Sequence, residues 1–374
     1  MKKRRVVVKI GSSSLTDTRG GLSKPKVQEH AAAIALLRKT GHEVVLVSSG
    51  AVAAGFRDLG YAARPGTTAG KQAAAAVGQG LLMQAYTDAF RSHGIVTAQL
   101  LLTRQDLMRK ERFHNTGRML EELLHREALP IVNENDSVSV EGITFGDNDM
   151  LSALVAGLVH ADFLAILTDV NGLYDGNPNT DPDAKKYTFI PEIHEGLLRQ
   201  ASGAGSSVGT GGMRSKVLAA RTAGSLGVHV FIGTGDGPEK LTDIVEGRGD
   251  GTYIGISSLM SGKDSKRWMA LCSVPAGSII VDSGAARALA GKGTSLLPVG
   301  ITSVNGNFKQ GEVVNVLDEN SELIGRGMVN YPADTISKII GKTGDEAMEI
   351  SGGTTPEVIH CNRWIHLKTK EAVR

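Results

Sequence analysis

The sequence predicts an α/β protein with a mostly parallel sheet sandwiched by helices, followed by a small β-rich domain. Three observations carry this. Over the first two thirds, β-branched runs alternate with longer helical patterns, and that alternation implies a parallel sheet covered on both faces. The 47 glycines stand singly or in short clusters between periodic segments, so they read as turns and ligand loops. Around residues 261–267 the chain turns polar (SGKDSKR), and beyond it short strand-like pieces replace the alternation. A boundary near residue 265 follows, giving domains 1–265 and 266–374.

Strands are expected at residues 6–10, 43–47, 95–101, 129–132, 163–167 and 228–232, each a short run rich in Val, Ile and Leu. Ser23 and Pro25 supply an N-cap and an early helix proline, and Gly41 stops that helix. A long helix is expected over residues 69–93, and another follows Asp149 in DMLSALVAGLVHA. The glycine-rich segment 202–212 feeds a third, with Ala219, Ala220 and Ala223 on its close-packing face. Beyond the boundary, WMALCSV, GSIIVD, EVVNVL and LIGRGMVNY read as strands with only brief helical stretches between them.

At 374 residues, with 41% hydrophobic and 21% charged, the chain has the composition of a soluble globular protein with room for two domains. The net charge of +2 leaves no overall footprint for nucleic acid, and residues 268–374 sum to −1 without a basic stripe, so RNA binding is disfavoured. Cys272 and Cys361 make neither a disulfide framework nor a metal-ligand spacing. KKRR is followed by too short an apolar run for a signal peptide. No stretch approaches the roughly 20 apolar residues of a membrane span, and a cytoplasmic place is expected.

The chemistry-bearing segments lie at or near expected strand ends, where open α/β sheets bind ligands. Lys9 stands in VVVKIGSSSL, a cation beside glycine amides and hydroxyls that suit phosphate oxygens. Gly11 lets the backbone approach closely. In VVLVSSGAVAAG, Ser48 alone reads as an ordinary N-cap, but the triplet Ser48-Ser49-Gly50 is less easily explained so. IVNENDSV places Asn133, Glu134, Asn135 and Asp136 after an apolar strand, where they suit an ammonium, carboxylate or amide. FGDNDML puts Asp147, Asn148 and Asp149 at a helix start; one serves as a cap, and three exceed that need. ILTDVNGLYDGNP sets Thr168 and Asp169 where a nucleoside would dock. Lys216 closes VGTGGMRSK at another helix N-terminus, a natural anion site. No GxxxxGK[ST] P-loop and no dinucleotide fingerprint after the first strand occur, which points to phosphoryl transfer outside the P-loop class and away from a dehydrogenase.

In order, KIGSS, VSSGAVAAG, VNENDSV, FGDNDMLSALVA, LTDVNGLY and GTGGMRSK resemble the successive motifs of the bacterial glutamate 5-kinases, within the amino-acid kinase superfamily. PAGSIIVDSGAARAL, GTSLLPVGITSVNGNFKQGEVVNV and GRGMVNY resemble a PUA domain, with a core at about 276–354. The fold implied is amino-acid-kinase-like, with a PUA-like tail. The resemblance makes Lys9 and Lys216 the cations that stabilise the transferring phosphoryl group and Asp149 the acid that positions both. It gives Ser49, Asp136, Asn148, Asn133 and Asp147 to the substrate. It gives Lys9, Gly11, Thr168, Asp169 and the run Thr210, Gly211, Gly212, Met213, Arg214, Ser215, Lys216 to ATP, with Mg²⁺ carried on its phosphates and no metal ligand assigned directly.

The implied reaction phosphorylates the γ-carboxylate of L-glutamate, the first step of proline biosynthesis. Feedback inhibition by proline, a homo-oligomer (dimer or tetramer) and hand-over of the acyl phosphate to glutamate 5-phosphate reductase are implied as well. The residues alone leave the acceptor open among glutamate, acetylglutamate and aspartate; the resemblance selects glutamate.

Overall fold

The computed structural model describes residues 3–138, 148–176, 178, 181, 183–203, 212–255, 275–291, 294–352 and 355–366. The chain divides into two compact units, Met1–Leu107 with Arg112–Ser261 and, separately, Gly262–Arg374 with Met108–Glu111. Among the described residues no helix is long and apolar enough to cross a membrane.

The first unit begins β1 (Arg5–Ile10), α1 (Lys24–Lys39), β2 (Glu43–Ser48), α2 (Ala51–Gly55), α3 (Thr68–Arg91) and β3 (Thr97–Leu102). It continues with α4 (Arg104–Met108) and α5 (Lys110–His125), apart from Met108–Glu111, and then β4 (Leu129–Glu134), α6 (Asn148–Leu158) and β5 (Phe163–Leu167). The short β6 (Leu173–Tyr174), β7 (Lys186–Tyr187) and β8 (Phe189–Ile190) precede α7 (Glu195–Gly203), α8 (Met213–Ser225), β9 (His229–Gly233), α9 (Lys240–Val245) and β10 (Gly251–Ile254).

Six parallel strands run in the order β3-β4-β2-β1-β5-β9, and β10 extends them antiparallel to β9 with β8 alongside. The six are the strands expected from sequence, with ends shifted by a residue or two. The central strands are mostly apolar because helices cover both faces: all of β5 and all but the first residue of β1 and of β2 are buried, the polar Lys9 and Ser48 at their carboxyl ends included. β8 and β10 escaped the sequence reading, since runs of two and four residues carry no measurable alternation.

Helix α1 starts as expected, with the Ser23 side chain accepting from the Lys26 amide. Helix α3 starts at a Thr67 cap. It meets α2 at bare backbone. A Cβ at Gly78 would lie 1.9 Å from the Ala51 carbonyl oxygen, and one at Gly55 2.2 Å from that of Ala74. Two glycines therefore let the short helix after β2 press onto α3. On α8, Ala219, Ala220 and Ala223 are wholly buried, with α6 packed alongside.

The second unit comprises β11 (Ser278–Val281), α10 (Ser283–Ala290), β12 (Ile301–Asn305), β13 (Val313–Leu317), β14 (Leu323–Met328), α11 (Ala333–Ile339), α12 (Gly344–Ser351) and β15 (Trp364–His366). Its sheet runs β12-β11-β13-β14-β15. Ile279, Val281, Phe308, Val314, Val316, Ile336 and Trp364 form a core of its own. GSIIVD, EVVNVL and LIGRGMVNY supply β11, β13 and β14; WMALCSV lies outside the described residues.

Candidate active site

Asp149 lies in the first turn of α6 and is wholly buried. Its Oδ1 pairs with the Lys9 ammonium from β1, and its Oδ2 with that of Lys216, 3.1 Å away on α8. Both lysines are more than nine-tenths buried. Burial alone would push the Asp149 carboxyl up, but Lys9 and then Lys216 outweigh it and hold the group below the usual carboxylate value. The result is one anion held between two cations. Ser215 adds a hydroxyl 3.2 Å from the same Oδ2 and 2.7 Å from the Gly212 carbonyl.

Lys9 lies within β1 rather than after it, because the strand continues through Ile10. Asn133 and Glu134 likewise belong to β4 and are buried, where the sequence placed them just past the strand. Polar side chains are tolerated in the sheet there because they find partners. Asn133 Nδ2 donates to Gln79 Oε1 at 2.8 Å, and its Oδ1 accepts from the Glu134 amide and from Asn148 Nδ2, both at 2.9 Å. Asn148 Nδ2 also reaches Ser49 Oγ at 2.9 Å and the Ser48 carbonyl at 3.1 Å.

Ser48 is not a helix cap. It ends β2 with its hydroxyl buried, 2.9 Å from the Tyr86 hydroxyl. Gly50 starts α2 instead, at a φ of +106° that favours glycine. Asp136 is half-buried; burial and the neighbouring Glu134 charge push its carboxyl up to about 6, against the pull of Arg64.

On the other side, Thr168 follows β5, its amide donating to the Gly233 carbonyl at 3.0 Å and its hydroxyl to Asp169 Oδ1 at 3.0 Å. Gly212, Met213, Arg214, Ser215 and Lys216 form the start of α8, whose cap position is Gly212, without a side chain to bond its amides. The structure thus brings together Lys9, Lys216, Asp149 and Ser215, and gathers Ser49, Asn133 and Asn148 into one hydrogen-bonded group. Asp147, Thr210 and Gly211 lie outside the described residues. Gln79, Tyr86 and Arg64 were missed by sequence reasoning. The first two lie inside a long helix that reads as packing, and their proximity depends on how α3 crosses the sheet.

A family model described as the amino acid kinase family matches residues 4–234. The chain belongs to the amino acid kinase family. A PUA domain model matches residues 277–360. Among curated relatives, a protein named glutamate 5-kinase from Geobacillus kaustophilus (strain HTA426) is 58% identical over 373 residues, covering 100% of both chains. One of the same name from Bacillus cereus (strain ATCC 10987 / NRS 248) is 57% identical over 367 residues, covering 98% of this chain and 100% of that one. Among solved structures, carbamate kinase from Giardia lamblia bound to AMP-PNP matches with a TM-score of 0.50 at 19% identity, covering 68% of this chain and 99% of that one. That likeness extends to the fold.

The residues here fit the phosphates of ATP. A side chain at Gly11 would begin 3.5 Å from Lys9 Nζ, so the missing Cβ leaves that face of the ammonium open. The N-terminus of α8 and the Lys216 charge add a second anion-binding edge. Among the described residues no group of three or more His, Cys, Asp or Glu side chains is placed to hold a metal ion.

Proposed function

We infer that this chain transfers the γ-phosphoryl group of ATP to the side-chain carboxylate of L-glutamate, the first step of proline biosynthesis. The observation that carries the reading is the pair Lys9 and Lys216 on one buried carboxylate, beside an amide cluster suited to an amino acid. Full-length likeness to proteins named glutamate 5-kinase supports that acceptor.

A glutamate side chain has a reference pKa of about 4.3, so the nucleophile is ionised at neutral pH and needs no general base. Asp149 is not available as one: both of its oxygens are engaged by ammonium groups. Its task is to hold two flexible side chains at fixed positions. Lys9 and Lys216, with the α8 amides, offset the charge that spreads over the transferring group, while Ser49, Asn148 and their partners fix the acceptor for in-line attack. Mg²⁺ on the ATP phosphates supplies further neutralisation. The product is an acyl phosphate, which hydrolyses readily.

Residues 1–265 carry this chemistry, and residues 266–374 form the PUA-like domain. Proline, which shares the α-carboxylate and α-ammonium of glutamate but lacks its side-chain carboxylate, fits as an inhibitor competing near Ser49 and Asn148. A dimer or tetramer, and hand-over of the labile product to glutamate 5-phosphate reductase, complete the reading; dependence on ATP goes with a cytoplasmic place. The test is ATP- and Mg²⁺-dependent acyl phosphate formation, trapped as a hydroxamate, with glutamate, acetylglutamate and aspartate side by side. Signal with glutamate alone is expected. Signal with another acceptor would keep the mechanism and overturn the pathway.

A further inference from the structure

The acceptor side of the site holds one enclosed polar atom with no partner among the described residues: Asn148 Oδ1. The other end of the same amide is heavily used, and its orientation is not free. A backbone carbonyl only accepts, so the Asn148 atom 3.1 Å from the Ser48 oxygen must be nitrogen. The Glu134 amide only donates, so the Asn133 atom 2.9 Å from it must be oxygen. Asn133 Nδ2 then needs an acceptor, and Gln79 Oε1 supplies it at 2.8 Å. The side chains Gln79, Asn133 and Asn148 form a chain in which each amide sets the next.

We propose that Gln79 is a positioning residue for amino-group recognition: through Asn133 it holds the Asn148 amide so that Oδ1 accepts an N–H from the α-ammonium of the substrate. This rests on the reading of the site as one that phosphorylates glutamate. The physical reason is the asymmetry of buried hydrogen bonds. An orphaned acceptor is unfavourable, a bound ammonium satisfies it, and a substrate without the amine leaves it orphaned. Removing the Gln79 acceptor strands Asn133 Nδ2, whose residue is only 1% exposed. The Asn133 amide then shifts toward water and releases Asn148.

The experiment measures kcat/KM for glutamate and for glutarate, the same dicarboxylate without the amine, in wild type, Gln79→Leu and Gln79→Glu. Where glutarate turns over too slowly, its inhibition constant against glutamate is used. Gln79→Leu is expected to lower the preference for glutamate over glutarate by about fivefold or more, the scale of one buried hydrogen bond. Gln79→Glu keeps an acceptor for Asn133. Its charge disfavours both dicarboxylates alike, so the preference returns toward wild type even as both values fall. Equal losses on both substrates in Gln79→Leu, or no recovery of the ratio in Gln79→Glu, would overturn the proposal. Failure of the wild type to phosphorylate glutamate at all would remove the functional reading, and this proposal with it.

Discussion

Lys216 Nζ lies 3.1 Å from Asp149 Oδ2, an ion pair that joins the first turn of α8 to the first turn of α6. With Lys9 on the other oxygen, Asp149 ties both helices to the central strand of the sheet. That arrangement makes the carboxylate the element on which the geometry of the site depends.

Asp149→Asn removes the carboxylate that two buried ammonium groups share. Removing one partner of a buried ion pair destabilises by about 3–5 kcal/mol. The variant is expected to show a lowered midpoint in denaturant unfolding and to lose nearly all turnover. The pH dependence has a definite sign. The Asp149 carboxyl is held below its ordinary value of 3.8, so its stabilising contribution is present above that value and disappears as pH falls through the lower folded value. Acid unfolding of wild type against Asp149→Asn checks this.

Asp136 has the opposite sign. Its carboxyl is raised from 3.8 to about 6, so the folded chain binds the extra proton between those values. Stability falls as pH rises through that window. Asp136→Asn is expected to stabilise the ligand-free chain by about 1–2 kcal/mol at pH 7, and the gain should vanish near pH 4. Chemical unfolding of both proteins across pH 4 to 7 measures it; a pH-independent difference would count against the assigned cause.

Gly78→Ala puts a methyl 1.9 Å from the Ala51 carbonyl oxygen. The helices must separate, at a cost of about 1–3 kcal/mol. Because α2 follows Ser49 and Gly50 directly, the KM for glutamate should rise as well. Gly80→Ala, two residues on, exposed and with open space around it, should stabilise by about 0.5–1 kcal/mol. Thermal unfolding of the two variants, one lower and one higher than wild type, separates contact from helix propensity.

Tyr86→Phe removes a wholly buried hydroxyl 2.9 Å from Ser48 Oγ. Burial pushes the Tyr86 hydroxyl up, keeping it protonated and able to donate. The variant is expected to lose about 1 kcal/mol of stability, with a smaller effect on turnover.

The strands that carry the site were legible because their residues are covered on both faces and read as continuous apolar runs, as in VVVKI and FLAIL. Lys9 and Lys216 stood out as cations beside glycine turns, and Asp149 because three Asp and Asn residues in a row exceed what one helix cap needs. Gln79 and Tyr86 were not legible. Each occupies a helix face whose partner is set by tertiary packing, here the close approach allowed by Gly55 and Gly78. The Ser48 hydroxyl was misread as a cap because a Ser before a helix has that role far more often than it ends a buried strand.

The most direct test compares Lys9→Ala and Lys216→Ala with wild type for both turnover and glutamate affinity. The account predicts that turnover drops by about 10²–10³ in each variant, the effect of losing one preorganised charge at the reacting group, while glutamate affinity changes little. Near wild-type turnover in both variants would contradict it.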